Sequence, residues 1–385
     1  MHITQLDIEG FRSLANVSWK PRALNVVIGP NGSGKSNLLR LLEMISEGAQ
    51  GKLSDYVQSA GGISALVWDG QAQTIKYMLR MSQNGINFPL ASYGVVLEPV
   101  GLGADYQIAN EALTNANQVN PYLFRINQQI KVFADNLPTS IREDAVPQRE
   151  LALHVVNNPY SSDYKLPQFA QYLQTWSIYH AINTSADAPI RQPVVTRLET
   201  QVAPNGQNLI NVLHTLYTTN RDFKASINSA MRAAFGPDYD ELVFPPASDQ
   251  RIQLRLRWKT LKREQSAADL SDGTLRFLFL MAVLANPHPA PLIAIDEPET
   301  GLHPSMLPII AEYAVEASRR TQVIFTTHSD QFLDAFGDTK PTTTVAKWED
   351  GKTTLTVLAE EELAYWLKDY TLGKLFRSGE LEALA

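Results

Sequence analysis

The chain of 385 residues contains no cysteine, which excludes disulfides, Cys-type zinc sites and thiol catalysis. It also lacks a membrane-length apolar run: the most hydrophobic stretch, Phe277 to Ala285, falls well short of the roughly 20 residues that span a bilayer. The N-terminus, Met1-His2-Ile3-Thr4-Gln5-Leu6-Asp7, has no basic region followed by an apolar one. These absences predict a cytoplasmic protein that makes no membrane contact. Positive charge is not in excess either. With a formal net charge of -7 the whole molecule is no generic polyanion binder, so any nucleic-acid surface must be local. No heptad pattern runs far enough for a long coiled coil, and no internal repeat or low-complexity tract is present. His154, His288 and His303 lack ligand spacing and imply no structural zinc. What remains is a 44% hydrophobic composition, enough for a sizeable core divided, at about 150 residues per domain, into two or three lobes.

Against that background one segment stands out. Gly29-Pro30-Asn31-Gly32-Ser33-Gly34-Lys35-Ser36 fits the phosphate-loop pattern GxxxxGK[ST] at every constrained position. Leu24 to Ile28 before it reads as a buried strand, and Leu38, Leu41, Leu42 and Ile45 after it recur at helical spacing. Glycines let the backbone turn its N-H groups around an anion while the following helix points its positive end at the same place. The pattern predicts ATP binding, with Lys35 reaching the β- and γ-phosphates and the Ser36 hydroxyl offered to Mg²⁺.

Coarse periodicity suggests an α/β organisation. Ile3, Leu6, Ile8 and Phe11 alternate with polar residues, and Ala65-Leu66-Val67-Trp68, Ile75 to Leu79 and Tyr93 to Leu97 read as short strands between turn residues. Residues 1-114 are expected to form the first part of an ATPase head with an antiparallel β-subdomain, and 115-225, richer in Asn, Gln and Pro, a mostly helical insertion. Within it, Phe169 to Ile182 and Leu209 to Thr218 show helical spacing. Residues 226-345 complete the head, and 346-385 form a C-terminal extension in which Leu363, Trp366, Leu367 and Tyr370 mark an amphipathic helix ending near Gly373.

A second group of signals lies in that later part. Leu292-Ile293-Ala294-Ile295-Asp296-Glu297 is an apolar strand ending in two acids, suited to an aspartate that holds Mg²⁺ and a glutamate that acts as general base on water. Before it comes Leu270-Ser271-Asp272-Gly273-Thr274, and after it Val323-Ile324-Phe325-Thr326-Thr327-His328. Ser271 reads as a helix N-cap that leaves free N-H groups for a phosphate. Contiguous His328-Ser329-Asp330 cannot converge on one proton path, and no GxSxG elbow occurs, so a hydrolase triad is excluded.

In this order the elements resemble ABC-type ATPase heads of the RecF, SMC and Rad50 kind, with the greatest similarity to the OLD-like bacterial ATPases. Gly10-Phe11-Arg12-Ser13-Leu14, Asp296 to Pro304 and Thr327-His328-Ser329 look like that subgroup's versions of the head motifs, covering roughly residues 1-50 and 263-340. The resemblance implies a head that hydrolyses ATP as a homodimer. Arg12, Ser13 and Asn31, Gly32, Ser33, Gly34, Lys35, Ser36 and Asn37 would contact the nucleotide. Ser271, Asp272 and Gly273 of one copy would cap the phosphate held by the other, and His328 would sense it. Two departures stand out: the signature reads LSDGT in place of LSGGQ, and Gln58, Gln71 and Gln73 are undiscriminated candidates for the glutamine loop. Trp176 to Tyr179, Ala188-Pro189-Ile190-Arg191, Gly206 to Leu209 and Tyr370 to Gly373 also look like the subgroup's pattern, without assignable chemistry.

OLD-like heads are often followed by a metal-dependent nuclease, for which the residues after the last head strand are too few. The sequence therefore points to a separately encoded effector, in DNA maintenance or anti-phage defence. The alternative is a RecF-like repair ATPase gripping duplex DNA through Arg251, Arg255, Arg257 and Lys259, which alternate with Ile252, Leu254, Leu256 and Trp258. The same stripe reads more readily as a solvated sheet face paired with acids on a neighbour, and a transporter ATPase is disfavoured by the N-terminal and His303-Pro304 motifs.

Overall fold

The computed structural model describes residues 1-70, 72-82, 91-101, 105-115, 120-134, 137-142, 145-156 and 165-384, and the statements below concern these. They form two compact units: one of Met1–Trp176 with Thr342–Glu360, the other of Ser177–Pro341 with Glu361–Ala383.

The first unit is built on an eight-stranded antiparallel sheet. Strands β1 (His2–Phe11) and β2 (Leu14–Trp19) form the expected hairpin, and β4 (Ile75–Ser82), β5 (Ala91–Val100) and β6 (Asp105–Asn115) extend it. Burial alternates along β4 and β5, so one face of each strand enters the core. The sheet continues through β7 (Leu123–Ile126), β8 (Gln129–Ala134) and β9 (Leu137–Ile141), so the segment expected to open a helical insertion at residue 115 opens in strands. Two buried polar groups hold this extension. Glu111 accepts from Tyr93 Oη at 2.8 Å and from the amides of Ala152 and Leu153 at 2.6 and 2.8 Å. Arg125 donates to the carbonyls of Asn127 and Glu150 at 2.8 and 2.7 Å. The run Ala65-Leu66-Val67-Trp68, expected as a strand, joins two 3-10 turns, Ile63–Ala65 and Trp68–Gly70, with a bridge from Val67 to Phe11, after Gly61 and Gly62 at positive φ.

Strand β3 (Leu24–Ile28), buried at all five positions, lies parallel to β19 (Thr342–Glu349), which turns back antiparallel into β20 (Lys352–Val357). The unit also carries helices α1 (Lys35–Ala49), α2 (Leu53–Ser59), α3 (Ala152–Val156) and α4 (Lys165–Gln174), with α1 packed on each of the other three. Ser46 of α1 donates to Leu173 O at 2.8 Å, tying α1 to α4.

The second unit carries a parallel sheet of β10 (Ser177–Tyr179), β17 (Leu292–Asp296) and β18 (Gln322–Thr327), in that order. The helical spacing read across Phe169 to Ile182 thus breaks after α4, and its second half is the buried strand β10, because a short apolar run fits both periods. Two small antiparallel sheets, β11 (Val194–Val195), β14 (Arg251–Ile252), β13 (Pro246–Ala247) and β12 (Tyr239–Val243), β15 (Arg255–Trp258), β16 (Gln265–Ser266), divide the basic segment between them. Helices α5 (Leu209–Thr219) and α6 (Arg221–Phe235) precede α7 (Asp272–Leu284), which is buried over most of its circumference, and α8 (Leu307–Ser318). After α9 (Asp330–Asp334) the chain ends in α10 (Glu360–Trp366), α11 (Leu372–Arg377) and α12 (Glu380–Ala383). Gly373 does not end a helix as expected but lies inside α11, where Thr371 is the N-cap and a Cβ at residue 373 would meet Asp330 O at 2.2 Å. Among the described residues, no helix is long and apolar enough to cross a membrane.

Candidate functional site

In the first unit the phosphate loop joins β3 to α1. Gly29, at φ +151°, has no room for a side chain: a Cβ there would meet Ala346 O at 2.2 Å. Gly34, at φ +94°, is the N-cap of α1 and is packed against Thr353 and Ser13. No side chain caps α1 and no acid occupies its first turn, so the helix directs an uncompensated positive end into the loop. Lys35, almost wholly buried, donates from Nζ to Gly29 O at 2.7 Å and Pro30 O at 3.0 Å. Asn31 and Gly32 are exposed at the tip, Ser33 is buried, and Ser36 and Asn37 are half-buried.

Arg12 and Ser13 form the turn between β1 and β2. Ser13 Oγ accepts from Asn37 Nδ2 at 2.7 Å and lies 2.7 Å from Thr353 Oγ1, which donates to Ser33 O at 2.9 Å. The turn therefore braces the loop on both sides. Arg12 has left-handed backbone (φ 47°), and its Nε is buried without a partner. Burial, and then the neighbouring Arg40, draws its guanidinium below the usual range.

In the second unit, β17 ends at Asp296 beside Thr326 of β18. Asp296 Oδ1 accepts from Thr326 Oγ1, and the amide of Glu297 donates to Thr326 O at 3.0 Å. Glu297 adopts φ 47°, a conformation that side chains other than glycine rarely take and that concentrates at functional sites. His328 Nδ1 lies 2.9 Å from Glu297 Oε1 and 4.0 Å from Glu299 Oε1. Glu299, only 10% exposed in its side chain, accepts from Thr327 Oγ1 at 2.5 Å while its second oxygen is buried without a partner. Burial pushes its carboxyl above the usual range.

Ser271 caps α7, accepting from Thr274 N at 3.1 Å. Gly273 approaches the turn that follows β17 so closely that a Cβ would lie 2.8 Å from Gly301 O, and Arg276 of the same helix donates to Thr300 O at 3.2 Å. The structure thus brings together Asp296, Glu297 and His328, and sets the signature helix against the turn beyond them. Of the glutamine candidates, Gln58 and Gln73 are exposed, and Gln71 lies outside the described residues.

The basic segment is less free than its sequence suggests. Arg257 pairs with Glu241 at 2.5 Å and Glu264 at 2.7 Å, Arg255 lies 4.0 Å from Glu264, and Arg251 and Lys259 donate to the carbonyls of Pro193 and Pro237.

Comparison with known proteins gives the family and the fold. The family model described as "AAA domain, putative AbiEii toxin, Type IV TA system" matches residues 115-334, more than half of the chain. The chain belongs to this AAA family. A model of the AAA ATPase domain matches residues 1-62, which include the phosphate loop, and no curated protein matches. Among solved structures, an SMC head bound to the C-terminal winged-helix domain of ScpA is similar with a TM-score of 0.63 at 15% identity, over 94% of this chain and 100% of that one. The SMC head with an extended coiled coil, bound to the ScpA C-terminal domain derived from Pyrococcus furiosus, gives 0.58 at 14% identity over 96% and 99%. The fold is that of an ABC-type ATPase head of the SMC kind, and the chain is an ATPase.

Sequence reasoning gave two residues of the ATPase head no role. Arg191, at the end of the Ala188-Pro189-Ile190-Arg191 motif, is buried; it donates to Thr184 O at 2.8 Å and Leu270 O at 2.6 Å and pairs with Asp272 at 2.5 Å. It fixes the loop leading into the signature helix, and its motif was the signal. His180 follows Trp176 to Tyr179 and brings Nδ1 to 3.6 Å from Asp296 Oδ2; no spacing in the sequence marks it.

Proposed function

We propose that this ATPase is a dimeric switch whose nucleotide state controls a separately encoded effector, in DNA maintenance or anti-phage defence. The observation that carries the reading is the pairing of His328 with Glu297 on strained backbone, next to a signature helix whose N-terminus is held by Arg191. In this reading ATP lies along Asn31 to Asn37 with Arg12 beside it, and Lys35 leaves its loop carbonyls for the phosphates.

Ser36 and Asp296 are hard oxygen donors that suit Mg²⁺, which when bound supplies charge neutralisation at the phosphates. Glu297 takes the proton of the attacking water. His328, donating from Nδ1, orients that carboxylate toward the water. Ser271, Asp272 and Gly273 of a second copy close over the phosphate with the amides at the start of α7.

The description of the family as toxin-related is compatible with defence, and the solved SMC heads bind a partner domain, which supports an effector in trans. Direct grip on duplex DNA draws little support, because Glu241 and Glu264 stand among the four cations of the stripe. The test is complementation between copies. Lys35→Ala and Ser271→Arg should each abolish turnover alone, and their mixture should recover a substantial fraction of it, since one hybrid site then carries both an intact loop and an intact cap. A mixture as inactive as its components rules out capping in trans.

A further inference from the structure

The carboxyl end of β17 has a neighbour on each side. On one side Thr326 donates to Asp296 Oδ1. On the other, β10 runs parallel with Tyr179 opposite Ile295, so the next residue of each strand, His180 and Asp296, sit side by side, with Nδ1 3.6 Å from Oδ2. The carboxyl ends of parallel strands are where open α/β sheets place their chemistry. Tyr179, buried, donates to Val202 O at 2.9 Å and packs edge-on against Phe279 with ring centroids 5.0 Å apart, so the strand end carrying His180 is rigidly set. His180 is itself about one-third exposed and lines a small cavity together with Arg276, Asp296, Glu297 and Thr300. A histidine there only to fill core would be buried. At 3.6 Å the contact is longer than a hydrogen bond, and contacts of this kind in active sites are commonly long until the site is loaded.

We infer that His180 is a positioning residue for Asp296: with Thr326 holding one carboxylate oxygen and His180 the other, the carboxylate is fixed in the orientation that receives the divalent cation. The inference rests on the reading of Asp296 as the metal-holding acid. Carboxylates that ligate metals depend on such outer hydrogen bonds, whose loss costs about 10- to 100-fold in metal affinity.

The test measures Mn²⁺ affinity by electron paramagnetic resonance in the complex with a nonhydrolysable ATP analogue, and analogue affinity in EDTA. Expected results are a loss of about tenfold or more in Mn²⁺ affinity for His180→Ala, unchanged analogue binding without metal, and recovery of most of the affinity in His180→Asn, whose amide N-H takes the place of Nδ1. If His180→Ala does not fold, His180→Leu against His180→Asn makes the same comparison at similar volume. Wild-type Mn²⁺ affinity in the variants lacking a donor, with Asp296→Ala impaired, overturns the inference alone. Wild-type affinity in Asp296→Ala overturns the metal assignment and the inference with it.

Discussion

Glu297 is held where a carboxylate can act and where its own backbone is uncomfortable. If it is the general base, Glu297→Gln should keep nucleotide affinity and lower turnover by about 100-fold or more, the usual worth of a positioned base; steady-state kinetics beside analogue binding check both halves. Because φ is 47°, Glu297→Gly should also raise folding stability by about 1 kcal/mol while abolishing turnover, read from urea unfolding. Glu299 gives a pH signature. Burial raises its carboxyl above the ordinary value of 4.5, so the folded state binds its proton more tightly than the unfolded chain does. The stabilisation this brings is fully present below 4.5 and is lost as pH rises through the elevated folded value. Glu299→Gln, which stays neutral, should therefore match wild type in acid and become progressively the more stable of the two towards neutral pH. A stability difference independent of pH would show that the carboxyl titrates alike in both states.

At the scale of elements, the loop into α7 depends on one side chain. Removing Arg191 leaves the carbonyls of Thr184 and Leu270 without their donor and frees Asp272, so Arg191→Ala should destabilise the protein by about 2 kcal/mol and lower turnover without touching ATP affinity. An unaltered turnover rate would separate the signature loop from catalysis. The elements legible in the sequence were those whose chemistry demands a fixed local pattern: β3 and α1 around the glycines, β17 ending in acids, and the Ser271 cap. Strands β7 to β9 were not legible, because β7 buries the hydrogen-bonded Arg125 where alternation would place an apolar residue, and β9 is exposed at four of its five positions. Strand β10 was hidden for the opposite reason, since Trp176, Ile178 and Tyr179 are as compatible with a helix as with a short buried strand. His180 could not be singled out, because what makes it notable is the parallel register of two strands far apart in sequence.

At the scale of the whole molecule, the residues proposed for nucleotide, metal and base lie in one chain, while the cap at Ser271 is proposed to work on another copy. With a net charge of -7, two copies repel weakly at long range, so the proposed dimer depends on short-range contacts, among which ATP is the proposed bridge. The most direct measurement is the solution mass of the Glu297→Gln protein with and without ATP and Mg²⁺. The account predicts a monomer without nucleotide and a stable dimer with it, and predicts that adding Ser271→Arg to the same protein returns the monomer. A Glu297→Gln protein that binds ATP and keeps the same mass throughout would contradict it.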